Sequence, residues 1–428
     1  MSYETYTFPN GLRIIFMPSD SPVVYCGIAV AAGTRHEMAG EEGLAHFCEH
    51  LSFKGTQRRT AVQIINALEG VGGELNAFTN KEDTVYYCAI LREHLSRAVD
   101  VLTDIVFQST YPQQEVEKEV EVVCDEIESY EDSPAELIFD EIENILFEGH
   151  PLGHNILGTA SQLRTYGSAD AARFTHRHYR PDNCVFFASG NVDFSRLLRL
   201  VNKAMEPMAF TDKTGSRSAT KGDACQSKNV SNDCRLTLPL ETTSNNGGPI
   251  VRQRGTHQAH VVLGTRAYAV GDDRRWPLYL INNILGGPGM NARLNLALRE
   301  RYGLVYTVES SMVSYGDCGA WCVYFGCDSH DVKRCLRLVR RELDRMMQQP
   351  LSERQLNAAK QQLRGQLAIA HESREQMTLD VARNYLHLGH VRDLSDVWAH
   401  IEKLTSQDLQ AVARELFGEE RLTTLIYQ

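Results

Sequence analysis

The sequence predicts an α+β fold of two structurally similar lobes that arose by internal duplication, each a mostly antiparallel sheet packed with helices. Three observations carry this reading. Strand-like and helix-like stretches alternate through both halves of the chain. "TVYYCAILREHLSRAVDVLTDIVFQSTYPQQEVEKEV" has a counterpart in "AWCVYFGCDSHDVKRCLRLVRRELDRMMQQPLSERQL", each a strand, a helix, a short break and a second helix. The chain has 428 residues and 43% hydrophobic content, too long for one average domain and right for two of about 200 residues. Residues 1–206 read as a first lobe, 207–254 as a polar linker or insertion and 255–428 as the duplicated lobe.

The chain opens on a hairpin, "TYTF" and "LRIIFM" around Pro9-Asn10-Gly11, with Asn-Gly as a two-residue turn signal. "VVYCGIAVAAG" reads as a buried strand and residues 43–54 as a helix. "TAVQIINALEGVG" has helical spacing at Val62, Ile65 and Leu68, then a Gly-rich stop. "TVYYCAIL" is a strand, "LSRAVDVLTDIVFQ" and "EVEKEVEVVCDEIESY" are helices, and "NCVFFASGNV" is a strand. From 207 to 254 the composition turns polar and rich in Gly, Ser and Asn, and part of this stretch is long enough to pair with a neighbouring sheet.

Composition excludes several function classes. A net charge of −11 with no long basic run argues against nucleic acid as a partner. The eleven cysteines contain no CxxC pair, which excludes a Cys-rich zinc site and leaves free, buried thiols in a reducing compartment. No stretch reaches ~18 consecutive apolar residues, so no membrane span is expected. The start "MSYETYTFPNGLRIIF" has no basic region followed by an apolar run, and the chain reads as cytoplasmic.

"GLAHFCEHLSFKGT" holds His46, Glu49 and His50. The two histidines are i and i+4 on the predicted helix, so both imidazoles leave one face about a turn apart, the spacing one zinc ion needs. Glu49 lies beside them, where a carboxylate can take a proton from water without itself binding the metal. The order H-x-x-E-H inverts the common zinc-protease helix. In the duplicate, Leu280, Asn283 and Ile284 stand in these places, so the scaffold does not require the trio.

A catalytic zinc wants a third protein ligand. The acidic helix at 113–131 is the place to look. Val116, Val120, Val123 and Ile127 form its apolar stripe. At ~100° per residue, Glu119 and Glu126 lie roughly 60–80° off that stripe on one flank, while Glu117, Glu121, Asp125 and Glu128 fall on the solvent side. Glu119 and Glu126 are therefore either metal-site carboxylates or members of boundary salt bridges; periodicity does not choose.

His46-Phe47-Cys48-Glu49-His50, with Glu126 76 residues on and Glu119 seven before it, resembles the inverzincin, or pitrilysin-type (M16), zinc metallopeptidases. That family includes insulin-degrading enzyme and the mitochondrial processing peptidase. "PNGLRIIF", "AAGTRHE", "GELNAFTNKEDTVYY" and "HPLGHNILGT" extend the resemblance over nearly the whole chain, whose length is that of the short, two-domain members. The resemblance implies one Zn2+ per chain on His46, His50 and Glu126, with Glu49 as general base and Glu119 orienting a ligand. It implies that Arg299 and Tyr306, in "LNLALRERYGLVYTVES", hold substrate and stabilise the oxyanion; read alone, they are a helix-end arginine and a strand tyrosine. Asn76 and Ala77 would pair with the substrate backbone. Phe53 would line the pocket after the cut or pack in the core. "GGPGMN", residues 286–291, resembles a substrate-handling loop or is a helix C-cap and turn.

The implied activity is hydrolysis of unfolded peptides or oligopeptides by metal-activated water inside a closed chamber. Peptides are the implied partners. Since this chain carries both residue sets, a homodimer is implied, with each active site completed by the partner's C-terminal lobe. Two alternatives stay open: a non-catalytic peptide-binding or structural subunit, and a maturation peptidase that needs a dedicated partner.

Overall fold

The computed structural model describes residues 2–206, 240 and 248–428, so most of the expected insertion lies outside the described residues. The first half supplies strands β1 (Glu4–Thr7), β2 (Arg13–Pro18), β3 (Val23–Val30), β4 (Glu74–Thr79), β5 (Thr84–Leu91) and β6 (Cys184–Gly190). Its helices are α1 (Leu44–Ser52), α2 (Ala61–Glu69), α3 (Leu95–Phe107), α4 (Gln113–Glu131), α5 (Pro134–Leu146), α6 (Ala160–Leu163), α7 (Ser168–His178) and α8 (Phe194–Met205). The second half supplies β7 (Ile250–Arg252), β8 (Ala259–Ala267), β9 (Val305–Ser314), β10 (Gly319–Cys327) and β11 (Thr423–Tyr427). With them come α9 (Arg275–Gly286), a π-helical stretch Asn295–Glu300, α10 (Val332–Gln348), α11 (Glu353–Ala370), α12 (Arg374–Leu388), α13 (Leu394–Lys403) and α14 (Ser406–Leu416).

The duplication reaches the level of the hydrogen-bonded ladder. The first sheet runs β1-β2-β6-β3-β5-β4 and the second β7-β11-β8-β10-β9. Setting β2 on β7 matches every following strand. The single parallel pair, β2–β6 or β7–β11, falls in the same place, and all other pairs are antiparallel. Strand β7 lies within the stretch expected to be linker, so that stretch contributes a strand to the second sheet.

Two local readings change. The first hairpin does not turn on Asn10-Gly11. Phe8 N bonds Leu12 O at 2.8 Å and Gly11 N bonds Phe8 O at 2.9 Å. Pro9 and Asn10 are thus the central turn residues, and Gly11, at φ +90°, takes the left-handed bulge position that follows. In α2 the buried residues are Ile64 and Leu68, whereas Val62 is 65% and Ile65 41% exposed. The buried stripe is i, i+4, and two of the three residues that gave the helical spacing, Val62 and Ile65, face solvent.

Each sheet is covered on both faces. One face of the first sheet packs on α1, α2 and α3, with α4 and α7 packed in turn on α1. Its other face, with Ile15, Met17, Ala29, Val85, Val185 and Phe187, is covered by Leu379, Ala382 and Leu386 of α12, from the second half. Reciprocally, Leu137, Ile138, Ile142 and Leu146 of α5 cover Val262, Tyr324, Leu425 and Tyr427 of the second sheet. The two exchanged helices follow corresponding long helices, α4 and α11, so the duplication also made the exchange symmetric. Among the described residues no helix is long and apolar enough to cross a membrane.

Polar contacts pin the junction at the turn between β4 and β5. Asp83, fully buried, accepts from Arg383 Nε at 3.0 Å and pairs with His387 Nε2 at 2.8 Å, both on α12. Burial alone would raise its pKa, but His387 and Arg383 outweigh this and hold the carboxyl at about 2. Arg35 reaches Asp317 through both terminal nitrogens, at 3.0 and 2.6 Å. A carboxyl depressed on folding stabilises above its unfolded pKa, near 4, and loses that contribution as pH falls through the folded value. Asp83 should therefore contribute about 2 kcal/mol at neutral pH. Urea titrations should show this lost between pH 4 and 2 in the wild type, and Asp83→Asn should be less stable at pH 7 by roughly 1–3 kcal/mol.

Candidate metal centre

Helix α1 enters its place through its N-terminus. Gly43, at φ +88°, packs so closely on the 157–158 backbone that a Cβ would lie 2.6 Å from Leu157 O. Glu37 Oε2 accepts from Gly43 N at 3.0 Å and Glu37 Oε1 from Ala45 N at 2.7 Å, satisfying two donors that the helix start leaves open. His154 Nε2 pairs with Glu37 Oε2 at 2.8 Å. The stretches "AAGTRHE" and "HPLGHN" thus act together as the mount of α1. His154 is held there by a buried carboxylate.

Helix α4 packs across α1 through Val116, Val120, Val123 and Ile127, all buried. This sets Glu119 and Glu126 against the histidines. The two carboxylates differ: Glu119 is 4% exposed, while the Glu126 side chain is 44% exposed at the rim. His46 Nε2 lies 3.9 Å from Glu126 Oε1, and His50 Nε2 lies 3.4 Å from Glu126 Oε2. Ligand atoms of His46, His50 and Glu126 all fall within 4.8 Å of one another. Bonds of ~2.0–2.1 Å in a tetrahedron imply edges of roughly 3.4 Å, so this two-histidine, one-carboxylate set fits zinc with one position left over.

His50 has a second contact that decides its chemistry. Its Nδ1 lies 2.9 Å from Glu119 Oε1, and Lys54 Nζ holds Glu119 Oε2 at 2.6 Å. Nδ1–H donating to the carboxylate leaves Nε2, which faces Glu126, as the nitrogen a metal would take once its proton is lost, the arrangement metal-bound imidazoles use. Burial, then the neighbouring His50, lowers His46 to about 4, which keeps it neutral as a ligand must be. Burial also works against charge on His50. Its bonds to Glu119 and Glu126 outweigh that and raise it to about 9. Glu49 is buried, and desolvation raises its pKa against the bond from Thr79.

The whole chain aligns with known relatives. Residues 14–160 match the insulinase family, peptidase family M16, and residues 168–363 match the peptidase M16 inactive domain. The uncharacterized zinc protease YmxG of Bacillus subtilis is 32% identical, the alignment covering 99% of this chain and 98% of that protein. The uncharacterized zinc protease SCO5738 of Streptomyces coelicolor is 34% identical over 98% of this chain and 88% of its own length. This chain belongs to peptidase family M16. A protease structure from Helicobacter pylori shares the M16 fold, with a TM-score of 0.87 at 20% identity, covering 100% of this chain and 99% of that one. The second, inactive-type M16 lobe accords with α9, where Leu280, Asn283 and Ile284 replace the histidines and glutamate.

Of the other expected residues, Arg299 and Tyr306 lie in the second lobe, away from this cluster, while β4 and the end of α1 carry the rest. Arg299, in the π-helical stretch, sits 5.8 Å over the ring of Tyr306, the second residue of β9, which is 81% exposed. Both line a groove of about 570 Å³ with Gly286–Met290, whose lining includes none of the metal-cluster residues. Asn76 and Ala77 lie on β4, an edge strand of the first sheet. Phe53 ends α1, half-buried against the core, its ring 6.0 Å from Tyr86. Sequence reasoning missed Thr79, Lys54, Glu37 and His154. Only Lys54, one turn past His50, carried a spacing signal; the others come from elements that only the fold brings near.

Since His50 is protonated below about 9, a metal binding between pH 7 and 9 must displace that proton. Calorimetry in buffers of different ionisation enthalpy should report close to one proton released per zinc at pH 7.5, and weaker binding as pH falls. Glu119→Gln should weaken zinc by roughly 10–100-fold.

Proposed function

We propose that this M16 peptidase is a zinc-dependent endopeptidase that hydrolyses unfolded peptides, one zinc per chain. The observation that carries the reading is the convergence of His46, His50 and Glu126 with Glu119 behind His50. His46, His50 and Glu126 would hold the ion. When bound, it supplies Lewis acidity toward water and the scissile carbonyl. Glu49 takes the proton of the attacking water and returns it to the leaving amine, a task its raised pKa favours. The free edge of β4 accepts an extended peptide as an added strand, which gives affinity with little sequence preference. Asn76 and Ala77 make the main-chain contacts, and Phe53 borders the site.

Arg299 and Tyr306 are donors suited to the oxyanion. Their groove shares no residue with the metal cluster, which supports delivery from the partner's C-terminal lobe in a homodimer that closes a chamber. The nine described cysteines are all free, which supports a reducing, cytoplasmic setting.

Incubation with a pool of unstructured peptides should give cleavage that a zinc chelator abolishes. Glu49→Gln should retain zinc yet lose about 10²–10⁴-fold in rate. Silence with one zinc bound would favour a maturation peptidase awaiting a dedicated partner. Silence without zinc would favour a peptide-binding subunit. In a confirmed mixed dimer, His46→Ala and Arg299→Ala chains should together regain part of the activity that each lacks; no recovery would place the pair in the same chain as its zinc.

A further inference from the structure

Among the described residues, one donor holds the Glu49 carboxylate. Thr79 Oγ1, at the end of β4, donates to Glu49 Oε2 at 2.6 Å. Both side chains are buried. Thr79 stands directly opposite Thr84 across the β4–β5 ladder, and their hydroxyl oxygens are 3.2 Å apart. Thr84 Oγ1 in turn lies 2.9 Å from the Ala32 carbonyl.

Proton counting orients this row. A carbonyl only accepts, so it takes the single hydroxyl proton of Thr84. An ionised carboxylate also only accepts, so it takes that of Thr79. Thr84 therefore has no proton to compete for Thr79, and the Thr79 hydroxyl points at Glu49. The backbone beneath is fixed as well. Asn80 N bonds Asp83 O at 2.8 Å, the Asn80 carbonyl accepts from Thr34 N at 3.2 Å, and Lys81 O accepts from Arg35 N at 2.9 Å. Asp83, in the same turn, is gripped by Arg383 and His387 of α12.

We propose that Thr79 is the positioning residue for Glu49: its hydroxyl fixes one carboxylate oxygen and leaves Oε1, without a partner among the described residues, available to accept a proton. The inference rests on the reading of Glu49 as general base. A glutamate has three side-chain torsions to settle, and a shift of about 1 Å in a reacting group can cost 10²-fold in rate. Thr79 shares β4 with Asn76 and Ala77, so one strand would both align the peptide and aim the base. Its turn is clamped by α12, which links the aim of the base to the docking of the two lobes.

The test compares Thr79→Val, which keeps shape and loses the hydroxyl, with Thr79→Ser, which keeps the hydroxyl and loses volume. Thr79→Val should lower kcat by roughly 10–100-fold with KM and zinc content near wild type. Thr79→Ser should recover most of kcat. A packing role predicts the reverse order, since valine fills the site better than serine. Crystal structures supply a readout apart from activity: the Glu49 carboxylate should keep its place in wild type and Thr79→Ser and leave it in Thr79→Val. Full kcat in Thr79→Val, serine no better than valine, or an unmoved Glu49 in the valine variant would each overturn the inference. A wild type that binds zinc and cuts no peptide would instead count against the peptidase reading, and the crystal structures would still decide whether Thr79 holds Glu49.

Discussion

Each sheet is apolar on both faces, and each half of the chain covers only one of them. Strand β6 shows the constraint at its most severe, since all seven of its residues are buried. Its own lobe seals one side, and α12 from the other half seals the opposite side. Leaving either face in water would forgo burial worth about 25 cal/mol per Å². The exchange of α5 and α12 is therefore the condition on which both lobes depend. It also brings Arg383 and His387 to Asp83, and so fixes the turn at the end of β4.

The polar cluster is built on this rigid base, with burial and charge opposed. Glu119 is removed from water at a cost that two cations, Lys54 and His50, offset. The same carboxylate raises His50, while burial lowers His46, so two histidines one turn apart are driven in opposite directions. Glu126 stays at the rim, open to solvent and to whatever enters the site. That division of environments lets one short helix carry two imidazoles and a carboxylate whose proton affinities are pushed in different directions.

The second lobe is a natural control for the first. Its ladder repeats five of the first sheet's six strands, all but β1, and its α9 occupies the place of α1. Where the first lobe gathers charge, the second has Leu280, Asn283 and Ile284 beside a groove that holds Arg299 and Tyr306. Duplication preserved what packing requires and released the positions it does not.

Periodicity alone was sufficient for much of this. The α4 stripe of Val116, Val120, Val123 and Ile127 is buried as spacing required, because a long helix with one apolar face has only one way to meet a core. The i, i+4 histidines and the internal repeat were equally legible, being local in sequence. Short helix α2 was misread because nine residues give two competing apolar stripes, and the neighbours of Ile64 and Leu68 decide between them. Glu119 and Glu126 shared a flank in sequence, yet one is buried and the other exposed, since that depends on where α1 crosses α4. Glu37, Thr79 and His154 carried no readable signal, because each acts across a gap that only folding closes. The sequence by itself determined the elements, the duplication and the histidine pair with its neighbouring glutamate, all set by distances along one chain. The tertiary structure alone decided which carboxylate buries, what bonds Glu49 and which helix covers which sheet, because those depend on contacts between segments whose meeting no local period encodes.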